Sequence, residues 1–446
     1  MKNASLAQPV EQLIRNEQVA GSSPVRGSIL ILHVRKILIL FSLVLVFGCA
    51  NIKQIHKGDE PYVLLISFDG FRHDYVEKYK APNFIAFMKE GISAKSLISA
   101  FPSKTFPNHY SIVTGLYPEH HGLVDNTFYD PKLGLYKISD REAVANPSFY
   151  QGTPLWQLVQ SHGMKSASFF WVGSETPVGG TYPTYWKPYD GTITNEDRVK
   201  KVMNWLKLPP EERPRFISLY FSMVDSAGHG HGPDSEETKA AVLEADALLG
   251  LVVNDLKDID LDVNVIVVSD HGMLGIQPKP DHFLSEENLM KDIDLNKVVY
   301  ANDGSQIHFY CDDAASKERV YKALKSKKNH FTVYKNEEIP GKWHYRQNQR
   351  IGDILVVMDS GYYALTRSQR EAVLNAQHII GVHGYRPELS EMQGIFYAKG
   401  PQIAKGISIE SFENIHIYPF IASILNIRNL PDIDGKKEVL KKYLVK

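Results

Sequence analysis

Side chains that can bind a metal ion or attack a phosphate ester stand in this chain mainly at the ends of short apolar runs. They comprise three carboxylates, three imidazoles and one hydroxyl, namely Asp69, Thr105, Asp225, His229, Asp270, His271 and His383. Catalytic zinc commonly takes three such ligands and keeps one position open, and two metals about 3.5–4 Å apart stabilise both oxygens exchanged in phosphoryl transfer. A hydroxyl becomes a nucleophile when a base or a metal removes its proton. The set therefore predicts a two-metal site with Thr105 as nucleophile.

Each of these motifs also has an ordinary structural interpretation when it is taken alone. Asp69-Gly70 is compatible with a turn, and Asp225 and His229 with a surface contact across one helical turn. Thr105 could simply cap a helix, which is the commoner role of such a residue. Their joint occurrence at strand ends within one domain is what favours a catalytic site.

Four apolar runs have the length and composition of buried strands, and they are Tyr62–Phe68, Ser166–Val172, Phe216–Met223 and Val263–Ser269. Between them, Thr238–Lys257 repeats apolar residues at three- and four-residue spacing, as an amphipathic helix does. This alternation predicts an α/β fold with a largely parallel central sheet flanked by helices. Ligands of such sheets bind beyond the carboxyl ends of the strands. We expect one catalytic domain over residues 61–446, with a capping insertion around 279–380 where the alternation is less clear.

The composition of the 446 residues excludes several classes of protein. Apolar residues make up 43% and charged residues 23%, and the net charge is −1, so the chain is globular and no nucleic-acid partner is indicated. The two cysteines, Cys49 and Cys311, are too few for a disulfide framework or a cysteine-built metal site.

Four segments carry a resemblance to a known family. They are Lys104–Pro118, with the sequence KTFPNHYSIVTGLYP, then Asp225-x-x-Gly-His229, Asp270-His-Gly-Met273 and His383-Gly-Tyr385. In this order they resemble the nucleophile and metal segments of the nucleotide pyrophosphatase/phosphodiesterase family, within the alkaline phosphatase superfamily. The likeness runs from about Tyr62 to the C-terminus and implies an alkaline phosphatase-like core.

The resemblance also implies a role for individual residues. Two zinc ions per subunit are implied, one held by Asp69, Thr105, Asp270 and His271, and the other by Asp225, His229 and His383. Asn126 matches the asparagine that contacts the phosphoryl group. Phe106 matches one wall of an aromatic slot for the nucleotide base, and Tyr189 is taken as the other. Among the remaining histidines, we expect His109 to orient a neighbour and His120, His121 and His282 to lie at the surface.

The activity implied is release of nucleoside 5′-monophosphates from nucleotides or dinucleotides through a covalent phospho-threonine. Two alternatives remain open at this point. Choline phosphodiesters or lysophospholipids are substrates within the same family. A catalytically inactive binding lipoprotein is a third hypothesis, which the presence of all the expected ligands disfavours.

The N-terminal region resembles a bacterial lipoprotein leader. Arg35-Lys36 precedes an apolar run that ends in Val46-Phe47-Gly48-Cys49, which is too short to span a bilayer. We expect residues 34–48 to be a signal peptide, Cys49 to be lipidated and residues 49–60 to form a tether. The protein would then be exported from a bacterial cytoplasm and anchored to a membrane, facing the periplasm or the cell surface. Residues 1–33 fit neither a signal nor a domain and are interpreted as a spurious extension.

Overall fold

The computed structural model describes residues 60–327 and 330–445. The predicted extension over 1–33, the predicted signal over 34–48, Cys49 and the tether up to residue 59 lie outside the described residues. Among the helices of the described part, none is both long and apolar enough to cross a bilayer.

Strands and short helices alternate along the described chain. The strands are β1 Tyr62–Phe68, β2 Ile92–Ala94, β3 Leu97–Ile98, β4 Thr127–Asp130, β5 Gly134–Lys137, β6 Lys165–Phe169, β7 Tyr185–Lys187, β8 Pro214–Phe221, β9 Val263–Val268, β10 Leu274–Ile276, β11 Phe283–Ser285, β12 Val298–Asn302, β13 Gln306–Cys311, β14 Phe331–Lys335, β15 Ile354–Met358, β16 Tyr363–Leu365, β17 Ile380–Val382, β18 Phe396–Lys399, β19 Ile407–Ile409 and β20 Phe412–Glu413. The α-helices are α1 Tyr75–Tyr79, α2 Pro82–Lys89, α3 Thr105–Thr114, α4 Pro118–His121, α5 Arg141–Ala145, α6 Leu155–Ser161, α7 Asn195–Leu206, α8 Met223–His231, α9 Glu236–Asp255, α10 Glu286–Met290, α11 Ala314–Lys327, α12 Arg367–Ala376, α13 Ile417–Ile424 and α14 Glu438–Lys441.

The central sheet contains eight strands of the described chain, in the order β19-β2-β18-β9-β1-β8-β6-β7. Strand β1 pairs in parallel with both β8 and β9, and β6 pairs in parallel with β8 and β7. Strand β18 is antiparallel to its two neighbours. The predicted α/β fold with a largely parallel sheet is thus confirmed.

Both faces of this sheet are covered by apolar side chains, which explains why its strands read as continuous apolar runs. Side chains of β1 alternate between the faces: Val63 and Leu65 join one buried cluster, and Leu64 and Ile66 join the other. Helix α9 packs on the second face through Val242 and its helical neighbours. The predicted helix Thr238–Lys257 is confirmed, although its predicted bounds lie two residues further toward the C-terminus than those of the observed α9.

The segment predicted as a capping insertion contains a second, smaller sheet. Its strands pair antiparallel in the order β12-β13-β15-β14, and α11 packs on them around Ile307, Phe309 and Leu324. At the two ends of the segment, β10 and β17 pair antiparallel with each other. The segment therefore leaves and re-enters the main domain at adjacent positions.

Part of the segment 279–380 contributes to the main core and not to the second sheet. Ile339, Trp343 and Tyr345 are buried in the main core beside the central sheet. The ring of Trp343 stacks on Phe101 with the centroids 4.3 Å apart. Three apolar residues among many polar ones show no periodicity, so the local pattern could not indicate this contact.

Arg350 also attaches this part of the chain to the main core, through a buried ion pair. Its Nε donates to Asp130 Oδ2 at 2.6 Å, and its Nη1 donates to the carbonyls of Gly122 and Phe149 at 2.8 and 2.6 Å. Both charged side chains are only 4% exposed. These contacts join the chain around Arg350 to the hairpin β4–β5.

We expect Arg350→Ala to lower the free energy of unfolding by about 3–5 kcal/mol, because it leaves Asp130 as a buried charge without its cation. Denaturant unfolding followed by tryptophan fluorescence measures this change. Lys342→Ala is the matched control, since Lys342 pairs with Glu388 at the surface and such pairs contribute about 1 kcal/mol or less. Equal losses in the two variants would contradict a special role for the buried pair.

Candidate metal centre

The three central carboxylates come together because their strands are neighbours in the sheet. Asp69 directly follows β1, Asp270 follows β9 by one residue, and Asp225 lies in the first turn of α8, just after β8. The amide of Asp69 donates to Phe221 O at 2.9 Å, and the amide of Asp225 donates to Asp69 O at 3.0 Å. Adjacent parallel strands thus deliver all three side chains to one edge.

Gly70 permits this close approach. Its φ of +66° lies in the left-handed region, and a Cβ at this position would stand 2.8 Å from both Cα and Cβ of Asp225. Glycine adopts this conformation without steric cost. The Gly70 amide also donates to Asp270 Oδ1 at 3.2 Å, so the turn holds two of the carboxylates.

The three imidazoles are oriented by backbone carbonyl oxygens. Nδ1 lies 2.8 Å from Gly381 O in His229, 2.8 Å from Gly272 O in His271 and 3.0 Å from Ser103 O in His383. A carbonyl oxygen only accepts, so each Nδ1 carries a hydrogen. In the neutral rings each Nε2 then presents a lone pair, as a metal-ligating histidine does.

The first predicted ligand group is compact and buried. Ligand atoms of Asp69, Asp270 and His271 all lie within 4.8 Å of one another. His271 Nε2 is 3.4 Å from Asp69 Oδ1, 3.0 Å from Asp270 Oδ2 and 3.1 Å from Thr105 Oγ1. The structure therefore brings together the four residues that the sequence assigned to one metal.

The second predicted group adjoins the first. Asp225 Oδ1 is 3.3 Å from His229 Nε2 and 4.0 Å from His383 Nε2. Ligand atoms of Asp225 and His383 also lie within 4.8 Å of an atom of His271, and the rings of His271 and His383 stack with centroids 3.6 Å apart. The two groups therefore form one continuous cluster.

The electrostatics of the cluster favour bound cations. Burial, reinforced by the nearby imidazoles of His271 and His229, holds the pKa of His383 well below its ordinary value, so its ring is neutral at pH 7. Burial alone would also lower the pKa of His271, but the negative charge of Asp270 outweighs it and the pKa is raised. The carboxylates of the cluster therefore favour positive charge beside them.

The donor set fits two divalent metal ions. Asp225 Oδ1 is buried and has no hydrogen-bond partner among the described residues, although a buried carboxylate oxygen normally has one. Two groups of ligand atoms could each hold a metal ion, one from Asp69, Asp270 and His271 and one from Asp225, His271 and His383. His229 Nε2 adjoins the second group, 3.3 Å from Asp225 Oδ1. Carboxylate oxygens and imidazole nitrogens of this kind are typical ligands of zinc.

Thr105 occupies the first residue of α3 and is 7% exposed. The following amide, of Phe106, donates to Asn126 Oδ1 at 3.0 Å. Asn126 is therefore tied to the nucleophile segment through its oxygen. Asn126 also lines a cavity beside the cluster.

A cavity of about 390 Å³ opens beside this cluster, bordered by the central site on one side and the second sheet on the other. Its wall combines site residues with a lysine and apolar or aromatic groups, including Asn126, Lys137, His229, Tyr300, Leu365 and His383. Its volume lies in the range typical of small-molecule sites.

The two residues predicted to bracket a nucleotide base lie on different apolar clusters. Phe106 packs against the cluster on one face of the central sheet, with an edge contact to Tyr136 at 6.4 Å. Tyr189 packs against the other cluster, where its ring is 5.1 Å from Phe170 and 6.5 Å from Tyr220. Both side chains are half-buried.

Comparison with known proteins decides the family. Residues 63–386 match the family described as type I phosphodiesterase / nucleotide pyrophosphatase. This chain belongs to the type I phosphodiesterase/nucleotide pyrophosphatase family.

Relatives within this family include vertebrate enzymes. Human ectonucleotide pyrophosphatase/phosphodiesterase family member 1 is 35% identical over 397 residues, which are 86% of this chain and 42% of that protein. Venom phosphodiesterase 2 of Crotalus adamanteus is 35% identical over 387 residues, 84% of this chain and 46% of that protein. The chain thus spans less than half the length of these relatives.

A solved structure of the family resembles the whole described domain. Murine ectonucleotide pyrophosphatase/phosphodiesterase 5, in an inactive threonine-to-alanine variant in complex with AMP, superposes with a TM-score of 0.79 at 32% identity. The match covers 86% of this chain and 100% of that one. The type I phosphodiesterase fold is therefore shared beyond the motif segments.

Several residues around the family's ligand set escaped the sequence interpretation. Tyr220 donates its hydroxyl to Asp69 Oδ2 at 2.5 Å, yet in the sequence it is one more aromatic residue of a buried strand. His121, expected at the surface, is fully buried, with Nε2 2.9 Å from Ser111 Oγ. The adjacent His120 is partly exposed, because successive residues of a helix face different directions. The expectation for the pair therefore holds for only one of the two residues.

The role expected of His109 is confirmed. Its Nδ1 lies 3.0 Å from Thr105 O and 3.3 Å from Asp270 Oδ2, and its Nε2 lies 2.8 Å from Ser67 Oγ. The hydrogen on Nδ1 serves the nucleophile segment and a carboxylate together, and Ser67 donates to the opposite nitrogen. His109 thereby links β1, β9 and α3.

We expect Tyr220→Phe to weaken zinc binding about 10–100-fold, the usual cost of removing a hydrogen bond to a metal-ligating carboxylate. Competition with a chromophoric chelator measures the affinity. Tyr185→Phe is the control, because the Tyr185 hydroxyl donates to Glu212 O at the surface. Unchanged zinc affinity in Tyr220→Phe would remove Asp69 from the ligand set or show that the hydroxyl does not orient it.

Proposed function

We propose that this protein is a two-zinc phosphodiesterase that releases nucleoside 5′-monophosphates from nucleotides or dinucleotides through a covalent intermediate on Thr105. The observation that carries the proposal is the position of Thr105 Oγ1, 3.1 Å from His271 Nε2 at the start of α3. A hydroxyl at this point adjoins both the ligand cluster and a helix N-terminus, which favours a phosphate group. The activities named for relatives in the family agree with this assignment.

The proposed reaction has two steps, and Thr105 takes part in both. Thr105 Oγ1 loses its proton and forms a bond to phosphorus, while the bond from phosphorus to the oxygen of the leaving group breaks. The leaving group departs with a proton on that oxygen or as its anion, and the phosphoryl group, still carrying the nucleoside, remains on Thr105 as the phospho-threonine intermediate. A water molecule then attacks the phospho-threonine, which releases the nucleoside monophosphate and restores the hydroxyl. Bound zinc would supply positive charge for the oxygens that gain negative charge.

Asn126 provides the remaining stabilisation that this chain supplies directly. Its Oδ1 is held by the Phe106 amide, which orients Nδ2 to donate to a non-bridging phosphoryl oxygen. Donors oriented before the reaction contribute strongly to catalysis, since no reorganisation is needed as charge develops. A diester has one negative charge on its non-bridging oxygens, which bound zinc together with this amide would stabilise.

A side-by-side assay tests the proposed activity. The protein from Asp59 onward, loaded with zinc, is offered p-nitrophenyl thymidine monophosphate, bis-p-nitrophenyl phosphate, p-nitrophenylphosphorylcholine and p-nitrophenyl phosphate. We expect the nucleotide ester to have the highest kcat/KM and the monoester the lowest. Preference for the choline ester would replace the nucleotide assignment by the choline-phosphodiester alternative, and inactivity on all four would favour a binding protein.

We expect Thr105→Ala to lose about 10⁴–10⁶-fold in kcat, the scale on which a member of a catalytic unit acts, while its zinc content stays close to that of the wild type. Thr105→Ser keeps a hydroxyl and is the matched control, with an expected loss far smaller than that of alanine. Trapping of a labelled phosphoryl group on the wild-type protein by acid quench measures the intermediate directly. An active alanine variant would mean that water attacks the diester without a covalent step.

We expect Phe106→Ala and Tyr189→Ala to raise KM for nucleotide esters more than for bis-p-nitrophenyl phosphate. Stacking of a base on an aromatic ring contributes about 1–3 kcal/mol, and binding remote from phosphorus affects mainly KM. Tyr185→Ala is the control, since the ring of Tyr185 packs toward Trp205. If neither variant discriminates between the two substrates, the aromatic slot does not exist.

For the region before the described residues, we propose a lipidated Cys49 that holds the protein at a membrane after export. The support is the sequence Val46-Phe47-Gly48-Cys49 behind a basic pair and an apolar run. Lipidation is needed for such anchoring, because the run is shorter than the roughly 20 residues that span a bilayer. In cells, Cys49→Ser should move the protein from the detergent phase to the aqueous phase, and a variant that remains in the detergent phase would contradict this proposal.

A further inference from the structure

A buried chain of charged groups connects the nucleophile segment with the second sheet. Lys104, the residue before Thr105, is 3% exposed, and its Nζ lies 2.9 Å from Asp303 Oδ2 and donates to Asp303 O at 2.7 Å. The carboxyl group of Asp303 lies close enough to that of Asp125 for its negative charge, in addition to burial, to raise the pKa of Asp125. Asp125 Oδ2 in turn lies 2.9 Å from His308 Nε2, and both of these residues are fully buried. None of these four side chains is a predicted metal ligand.

The positions of the hydrogens in this chain of charged groups follow from its geometry. His308 Nδ1 lies 3.0 Å from Ile351 O and therefore carries a hydrogen. The contact between His308 Nε2 and Asp125 Oδ2 needs a further hydrogen, on one or the other of the two atoms. Burial, together with the negative charge of Asp303, raises the pKa of Asp125 to about 7, which agrees with a carboxyl group that shares a proton with its neighbour.

This chain of charged groups is attached to the proposed catalytic residues at two points. Lys104 precedes Thr105 directly, and Asp125 precedes Asn126 directly. Asp125 Oδ1 also accepts from the Asn126 amide at 2.8 Å. The nucleophile and the phosphoryl-contacting amide are thus held by adjacent members of one network.

A third attachment reaches a metal ligand. Ser305, between Asp303 and β13, donates to His383 O at 3.1 Å, and Gln306 Nε2 donates to Gly384 O at 2.5 Å. Gly384 has a φ of +103°, and a Cβ there would stand 2.2 Å from Ser305 Oγ and 2.3 Å from Lys104 Cε. The start of β13 therefore packs tightly against the backbone of the His383 loop and against Lys104 together.

We propose that Asp303, Asp125 and His308 are positioning residues, through which the second sheet holds Thr105 and Asn126 in register with the metal ligands. This inference rests on the proposed phosphodiester hydrolysis. It assigns the second sheet a part in catalysis in addition to forming one wall of the cavity. A displacement of reacting groups by about 1 Å can cost about 10²-fold in rate, so loss of the network should appear in kcat.

Two substitutions at Asp125 separate the hydrogen bonds from the charge. Asparagine keeps an oxygen for the Asn126 amide and supplies a hydrogen toward His308, whereas alanine loses both contacts. We expect Asp125→Ala to lower kcat for the nucleotide ester about 10²-fold with KM and zinc content within about 3-fold of wild type. Asp125→Asn should retain kcat within about 5-fold.

The matched control is Asp353→Ala, which removes a carboxylate that accepts from the Cys311 amide at the far end of β13. It should leave kcat within about 2-fold of the wild type. Thermal unfolding of all variants identifies any that are not folded, and the asparagine variant still tests the proposal if the alanine variant fails to fold. An asparagine variant as impaired as alanine, or an alanine variant with normal kcat, would overturn the proposal.

A measurement that does not depend on activity separates this inference from the proposed function. In protein labelled with ¹⁵N-histidine, the His308 ring hydrogen toward Asp125 should give a downfield signal, assigned by its loss in His308→Gln. The signal should be lost in Asp125→Ala, and the ring should stay ordered in Asp125→Asn. Wild-type protein that hydrolyses no diester but shows this signal would overturn the proposed function only, whereas active protein without the signal would overturn the network.

Discussion

The convergence of three carboxylates at one edge of the central sheet is the constraint on which the rest of the site depends. It follows from the parallel pairing of β1 with β8 on one side and β9 on the other. Carboxylate oxygens of Asp69 and Asp270 lie within 4.8 Å of each other, where two negative charges repel by about 3 kcal/mol at an effective dielectric constant of about 20. Such an arrangement is stable only when cations and hydrogen-bond donors compensate it. The surrounding imidazoles, amides and the Tyr220 hydroxyl are the part of that compensation which the chain itself provides.

The orientation of the imidazoles depends on backbone atoms. The carbonyls that bind Nδ1 belong to Gly272, Gly381 and Ser103, which lie in three separate parts of the chain. Each of these loops must therefore adopt its native backbone conformation before the imidazole that it orients can direct Nε2 to the centre of the site. Because backbone carbonyls are present in every sequence, this layer of the site leaves no residue-type signal, and only the folded chain reveals it.

The elements that are regular along the sequence could be predicted, and those that depend on distant contacts could not. Strand β1 was predicted with its observed bounds, because it is buried on both faces and flanked by polar residues. The burial of Trp343 and Tyr345 was missed, since their partner Phe101 lies more than two hundred residues away and their own neighbours are polar. At the site, the resemblance supplied the ligand residues, which the structure brings together. It did not indicate Tyr220 or the partners of Lys104, because their roles arise from the pairing of β8 with β1 and from the second sheet.

The two sheets differ in what they contribute. The central sheet and its loops provide the acidic and imidazole groups, whereas the second sheet provides Asp303 and His308, which face the segments that precede Thr105 and Asn126. Replacing a buried ion pair by apolar residues of similar volume is often neutral or stabilising, so stability alone does not account for Lys104 and Asp303 in this position. A cover for the cavity could equally be built from apolar side chains. Charged groups at this interface impose a direction and a distance on their partners, which apolar packing does not. The phosphoryl transfer proposed for Thr105 would require that property of the element next to it.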